Sequence, residues 1–255
     1  MFCSAAITDI GITKPVNQDC ALLVEAKGHG GNILLAAVCD GMGGLNAGEE
    51  ASAILCGTIL KWFEETLPSI LFTYNQELLE DVFQSEFLSI IRIADDKIKR
   101  QIRGESGTTM ALILLYQNRY YIANVGDSRV YIIDETARQL TTDQTVIQDL
   151  LDKGLIKPEE VATHPQRNTL LQCVGAGEVV SPQFIFGDYL NDDSFLVCSD
   201  GFRHVLSQEE IAALSLTNEN TEEALEANIK HTIEKVKNRK EKDNITAIVI
   251  KVVGE

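Results

Sequence analysis

Residues 33–44 read ILLAAVCDGMGG, an unbroken apolar run that ends in one carboxylate, Asp40, and then in glycines, with a helical pattern following. Such a run forms a buried strand, so a charged group is fixed at the edge of the core. A lone Asp beside Gly is ordinary turn chemistry, because both residues tolerate the backbone angles that a turn requires. Here the arrangement recurs. SFLVC runs into Asp200-Gly, ANVG precedes Asp127, Asp243 opens the apolar stretch NITAIVI, and Asp19 heads the strand that begins at Cys20. Turn chemistry gives no reason for several buried strands to end in carboxylates, whereas a site for hard cations needs carboxylate oxygens held on rigid elements.

These aspartates have no His or Cys cluster around them. Oxygen donors alone select Mg²⁺ or Mn²⁺ over zinc. The six cysteines, at 3, 20, 39, 56, 173 and 198, show no C-x-x-C spacing and predict reduced thiols, not a zinc site or a disulfide framework. The net charge of −16 disfavours nucleic acid and anionic membranes and would repel a phosphorylated substrate unless cations were added. No apolar run has the length to span a bilayer, and the first residues lack the pattern of a signal peptide, so a cytoplasmic protein is expected.

The chain of 255 residues has no repeat, low-complexity segment or linker, which predicts a single domain, 1–255. Strands are expected at 5–10, from 20, up to 40, near 182–186, at 194–198 and at the C-terminal DNITAIVIKVV. Helical spacing runs from Ala51 to Trp62 and from Leu79 to Ile98, with another amphipathic helix before the last strand. TTMALILLY, YYIANV and RVYIID read as an antiparallel meander, and residues 141–175 as a helical insert. Ser207-x-x-Glu210 is a capping box. The basic run KVKNRKEK (235–242) reads as a solvated helix end that complements the helix dipole. Strands and helices do not alternate regularly, so the expected class is α+β, with antiparallel sheets flanked by helices.

Taken in order, TDIGITKPVNQD, CDGMGG, GTTMALILL, ANVGDSRVY, LTTDQT, ATHPQRNTLLQCVG, CSDGF and DNITAIVI resemble the motifs of the metal-dependent Ser/Thr protein phosphatases of type 2C, in their compact bacterial form. The resemblance implies a four-layer αββα fold, a central β-sandwich of two antiparallel sheets with α-helices on both sides. It implies a flap-like role for the 141–175 insert. It also implies hydrolysis of phosphoserine and phosphothreonine by in-line attack of a water bridging two Mn²⁺ or Mg²⁺ ions. Asp40 would bridge the ions and the Gly41 carbonyl would ligate one of them. Asp200 and Asp243 would complete the other, Asp19 would orient a bound water, and Asp127 with Asp200 would hold a third, weaker ion. Gly43 and Gly44 would permit close packing where sheet gives way to helix. Phosphorylated proteins are the implied substrates, a Ser/Thr kinase in the same cell the implied counterpart, and a monomer the expected state.

Three departures from the family pattern stand out. Lys14 replaces the usual phosphate-gripping arginine, keeping the charge without the planar fork. Gln144 replaces a histidine at the start of the insert, and His204 an acidic residue after Ser-Asp-Gly, which weakens the expected third ion site. Met42 stands, as in many bacterial members, where many eukaryotic members have a histidine able to protonate the leaving group, so no leaving-group acid is identified.

Other readings fare worse. Cys198 to Arg203 is one residue short of a cysteine-phosphatase loop and contains Asp200. Gly43 and Gly48 have phosphate-loop spacing but are followed by Glu49 and Glu50, and Asn46 breaks a dinucleotide-binding pattern. A catalytically inactive phosphoprotein-binding module would have no need to keep mutually repelling carboxylates together. A two-metal nuclease would prefer a basic groove.

Overall fold

The computed structural model describes residues 1–28, 30–44, 47–102, 106–216 and 220–254. One sheet has the order β1 (Phe2–Asp9), β11 (Ile245–Val252), β10 (Ser194–Cys198), β7 (Arg129–Ile133) and β8 (Ala137–Gln139). The other runs β2 (Asp19–Gly28), β3 (Gly31–Gly43), β5 (Met110–Tyr116), β6 (Arg119–Val125) and β9 (Gln183–Asp188), with β4 (Ser106–Thr108) paired to the end of β3. All of these pairings are antiparallel.

The period of two along each strand builds the layers. In β3, Leu34, Ala36 and Val38 pack between the sheets with Ile113, Val130, Phe195, Val197 and Ile248. Ile33, Leu35, Ala37 and Cys39 face outward, against α1 (Ala47–Glu65) and α3 (Leu79–Gln101), through Leu55, Ile59, Trp62, Phe83 and Phe87. A strand covered on both faces is apolar at every position, which is why ILLAAV does not alternate. On the other side, Leu196, Cys198, Ala247 and Val249 meet Leu225, Ile229, Ile233 and Val236 of α7 (Glu222–Asn238). The αββα expectation therefore holds.

Short helices complete the chain: α2 (Leu67–Thr73), α4 (Val146–Asp152), α5 (Asp200–Arg203) and α6 (Gln208–Ala212). The Ser207 hydroxyl accepts from Glu210 N–H and the Glu210 carboxylate accepts from Ser207 N–H, the capping box read from the sequence.

Three expectations are corrected. β5 and β6 form a hairpin, but β7 joins the opposite sheet, so the expected meander is split at residues 126–128. Each of these strands is buried on both faces, so its apolar pattern carries no mark of which sheet it enters. The 141–175 insert is only partly helical, holding α4 and a 3₁₀ segment, Pro158–Thr163. The basic run near 235–242 is more than a solvated helix end: Arg239 and Lys235 both pair with Glu210, tying α7 to α6, and Lys237 pairs with Asp9.

Candidate active site

Strand parity carries Asp40 into the space between the sheets, in line with Leu34, Ala36 and Val38. Asp19 lies directly opposite Asp40 in the β2–β3 register. Two carboxylates facing each other across an antiparallel pair destabilise it when both are ionised, so their placement suits a site that a cation compensates.

Asp200 opens α5 just beyond β10, and Asp243 lies two residues before β11, the strand next to β10. Asp127 follows β6. Asp40, Asp127, Asp200 and Asp243 line one cavity of about 290 Å³ with Lys14, Gly41 and Met42. Asp19 stands beside Asp40 behind that lining, and its Oδ2 accepts from the Ser199 hydroxyl at 2.9 Å. All seven residues expected at the site are thus gathered at one end of the sandwich. Gln144 is not part of this lining. It pins the insert to the sheet, accepting from Gly126 N–H at 2.9 Å and donating to the Ser181 carbonyl at 2.8 Å.

Neutral groups fix the backbone around the carboxylates. Asp40 N–H donates to the Thr109 hydroxyl, and Thr109 N–H donates to the Asp40 carbonyl. Asn244 accepts from Gln18 N–H and donates to the Ile10 and Val16 carbonyls, holding down the loop that carries Lys14. At Gly41 an added Cβ would lie 2.1 Å from the Gly48 carbonyl oxygen, so only glycine lets α1 approach there. Gly43 is closely packed against Ser106 and Ala47, whereas a Cβ at Gly44 would meet nothing within 4 Å among the described residues, so they do not show the close packing expected of Gly44.

Burial, then the neighbouring carboxylates Asp19, Asp200, Asp127 and Asp243, hold the Asp40 carboxyl well above its ordinary pKa. Burial pushes Asp19 up to about 6, although hydrogen bonds from Thr246 and Ser199 oppose the rise. Asp127 is pushed up to about 7 by burial and by Asp200, against the pull of Arg203. Asp200 is raised by burial while His204 counteracts, and its buried Oδ1 has no hydrogen-bond partner among the described residues. Burial opposes the charge on Lys14, but its 2.5 Å contact with Asp243 outweighs this and raises its pKa.

These features fit a hard divalent cation: the donors are all oxygens, Asp200 Oδ1 is buried and unsatisfied, and the carboxylates lack enough positive charge. Among the described residues no group of three or more His, Cys, Asp or Glu side chains stands ready to hold a metal by itself. Lys14 occupies one oxygen of Asp243, so an ion held here would need carbonyl or water oxygens as well.

The sequence reading did not single out Arg167, Arg203 or Asp143. Arg167, in the insert, lines the cavity and forms no ion pair among the described residues. Its signal was its place in the motif ATHPQRNTLLQCVG.

The family model described as Protein phosphatase 2C matches residues 13–244. The serine/threonine phosphatase stp of Listeria monocytogenes is 28% identical over 244 residues, covering 95% of this chain and 93% of that one. The Streptococcus agalactiae serine/threonine phosphatase structure superposes with a TM-score of 0.85 at 26% identity, covering 99% of this chain and all of that one. The catalytic domain of the phosphatase PstP, solved in complex with two manganese ions, gives a TM-score of 0.76 at 28% identity, with 99% of each chain covered. The chain belongs to the protein phosphatase 2C family. It is a metal-dependent phosphoprotein phosphatase that uses Mn²⁺ or Mg²⁺.

Proposed function

We propose that the cavity at the sandwich end is the catalytic centre, acting on phosphoserine and phosphothreonine in proteins. The observation that carries this is the cross-strand pair Asp19 and Asp40, set beside buried Asp200 and Asp243 and compensated by few cations. In this reading Asp40, Asp200, Asp243 and the Gly41 carbonyl hold two core ions. Asp127 with Asp200 forms an outer position, and Asp19 orients water from behind Asp40. When bound, the ions supply the charge that draws a phosphoryl group in and the acidity that readies a water for in-line displacement.

The chain's own groups do the rest. Lys14, paired with Asp243 in the metal-free protein, would be free to meet a phosphate oxygen once an ion engaged that carboxylate. Arg167 supplies from the insert the planar fork that Lys14 lacks. Thr109 and Asn244 keep the strand end and the Lys14 loop from shifting as charge enters. A purely phosphoprotein-binding role would leave the buried, unsatisfied Asp200 oxygen without a purpose.

The reading extends to a single domain over 1–255 with the insert as a flap, a monomer, a cytoplasmic location and a Ser/Thr kinase as counterpart. Among the described residues no helix is long and apolar enough to cross a membrane. The test is hydrolysis of a phosphothreonine peptide and of p-nitrophenyl phosphate by metal-stripped protein with Mn²⁺, Mg²⁺, Ca²⁺ or Zn²⁺ restored. Turnover with Mn²⁺ or Mg²⁺ that vanishes in Asp200→Asn is expected. A folded protein with no turnover under any metal would move the reading to a binding module.

A further inference from the structure

The carboxylates of the cavity are not equally short of positive charge. At the Asp127 corner, Arg203 reaches in from the last turn of α5. Its Nη2 donates to the Asp127 carbonyl at 3.0 Å and to Asp143 Oδ2 at 3.2 Å, and lies 3.8 Å from Asp127 Oδ2. The Arg203 side chain is only 9% exposed, so water and salt screen its charge weakly. Asp143 is already held by Arg129 through two parallel bonds of 2.7 Å each. Two guanidinium groups and two carboxylates therefore close on one another with no net charge. At the opposite corner, among the described residues, Asp243 pairs with Lys14, while neither Asp19 nor Asp40 forms an ion pair and the His204 ring is shared with Glu241 at 3.6 Å.

We propose that Arg203 is a resident counter-charge for Asp127, competing with any divalent ion for that carboxylate and lowering the affinity of the outer position below what its carboxylates alone would give. The proposal rests on the reading of Asp40, Asp200 and Asp243 as cation ligands. An ion approaching Asp127 meets a buried guanidinium nitrogen 3.8 Å from its Oδ2. It must either accept that repulsion or displace Arg203 from its acceptors, one of which Arg129 anchors. Arg203 Nε is buried without a hydrogen-bond partner among the described residues. An unsatisfied buried donor is a cost, so the side chain keeps its position for the contacts of Nη2. Arg203 is thus a positioning residue, acting on the cation through Asp127.

The experiment is calorimetric titration of the metal-stripped full chain with Mn²⁺, with bound Mn²⁺ counted by electron paramagnetic resonance. Wild type, Arg203→Met, Arg203→Lys and Asp127→Asn are compared, each checked for folding by thermal melt. Arg203→Met should tighten the outer site by roughly tenfold or more and leave the inner sites unchanged, because an isosteric neutral chain removes the competing charge. Arg203→Lys, which keeps the charge, should resemble wild type. An outer site unchanged or weakened in Arg203→Met overturns the proposal. If Arg203→Met does not fold, Arg203→Gln is read in its place by the same two outcomes, and Asp127→Asn marks which Mn²⁺ is the outer one. A wild type that binds no Mn²⁺ at all removes the inner-ligand reading as well, a result distinct from either failure.

Discussion

Asp40 and Asp19 face each other across two paired strands, and among the described residues neither forms an ion pair. Such a pair is a stability cost in the absence of a cation and a binding site in its presence. Asp40→Asn should therefore melt higher than wild type in chelator and gain nothing from Mn²⁺; thermal melts with and without Mn²⁺ check this. A mutant that still gains stability from Mn²⁺ would take Asp40 out of the ligand set. Lys14 is tied to Asp243 here, so its substitution separates two roles. Lys14→Ala should raise KM for a phosphothreonine peptide by roughly tenfold with kcat largely retained, as expected for a charge that grips phosphate. A fall in kcat alone, read from steady-state kinetics, would place Lys14 at the cation ligands instead.

At the scale of elements, the ends of strands do the positioning. Thr109 follows β4 and holds Asp40 by two hydrogen bonds, while its hydroxyl also meets that of Ser128 at 2.7 Å. Thr109→Val keeps the shape and orphans buried partners. It should cost about 1–3 kcal/mol in urea unfolding and weaken Mn²⁺ affinity in calorimetry; an unchanged affinity would mean that this clamp does not aim Asp40. The aspartates were legible because each interrupts or borders an apolar strand, a pattern visible in one dimension. The Arg203–Asp143–Arg129 network was not, since its members come from α5, the start of the insert and β7, and no local pattern links them. For the same reason the split between β6 and β7 was hidden: burial on both faces erases the alternation that would reveal a strand's side. The αββα layering was carried by the resemblance of eight ordered motifs more than by periodicity.

The whole molecule carries a net charge of −16 and concentrates buried carboxylates at one end. Asp19 and Asp127, at about 6 and about 7, titrate above the value of about 4 expected of an unfolded Asp. Between those values the folded state holds more protons than the unfolded one, so the stability of metal-free protein falls as pH rises through 6 to 7. Bound metal reverses the demand by favouring ionised ligands. Melts in chelator should drop on going from mildly acidic to mildly alkaline pH, and the gain from Mn²⁺ should be larger on the alkaline side. A Mn²⁺ gain independent of pH would contradict the idea that these carboxylates are protonated when empty.

The most direct measurement is a crystal structure of the protein grown with Mn²⁺, with data collected at the manganese absorption edge to locate the ions by anomalous scattering. Two strong peaks are expected, about 4 Å apart, sharing Asp40 and flanked by Asp200, Asp243 and the Gly41 carbonyl, with Lys14 released from Asp243. Peaks that avoid Asp40, or a cavity that stays free of manganese while Lys14 remains on Asp243, would contradict this arrangement.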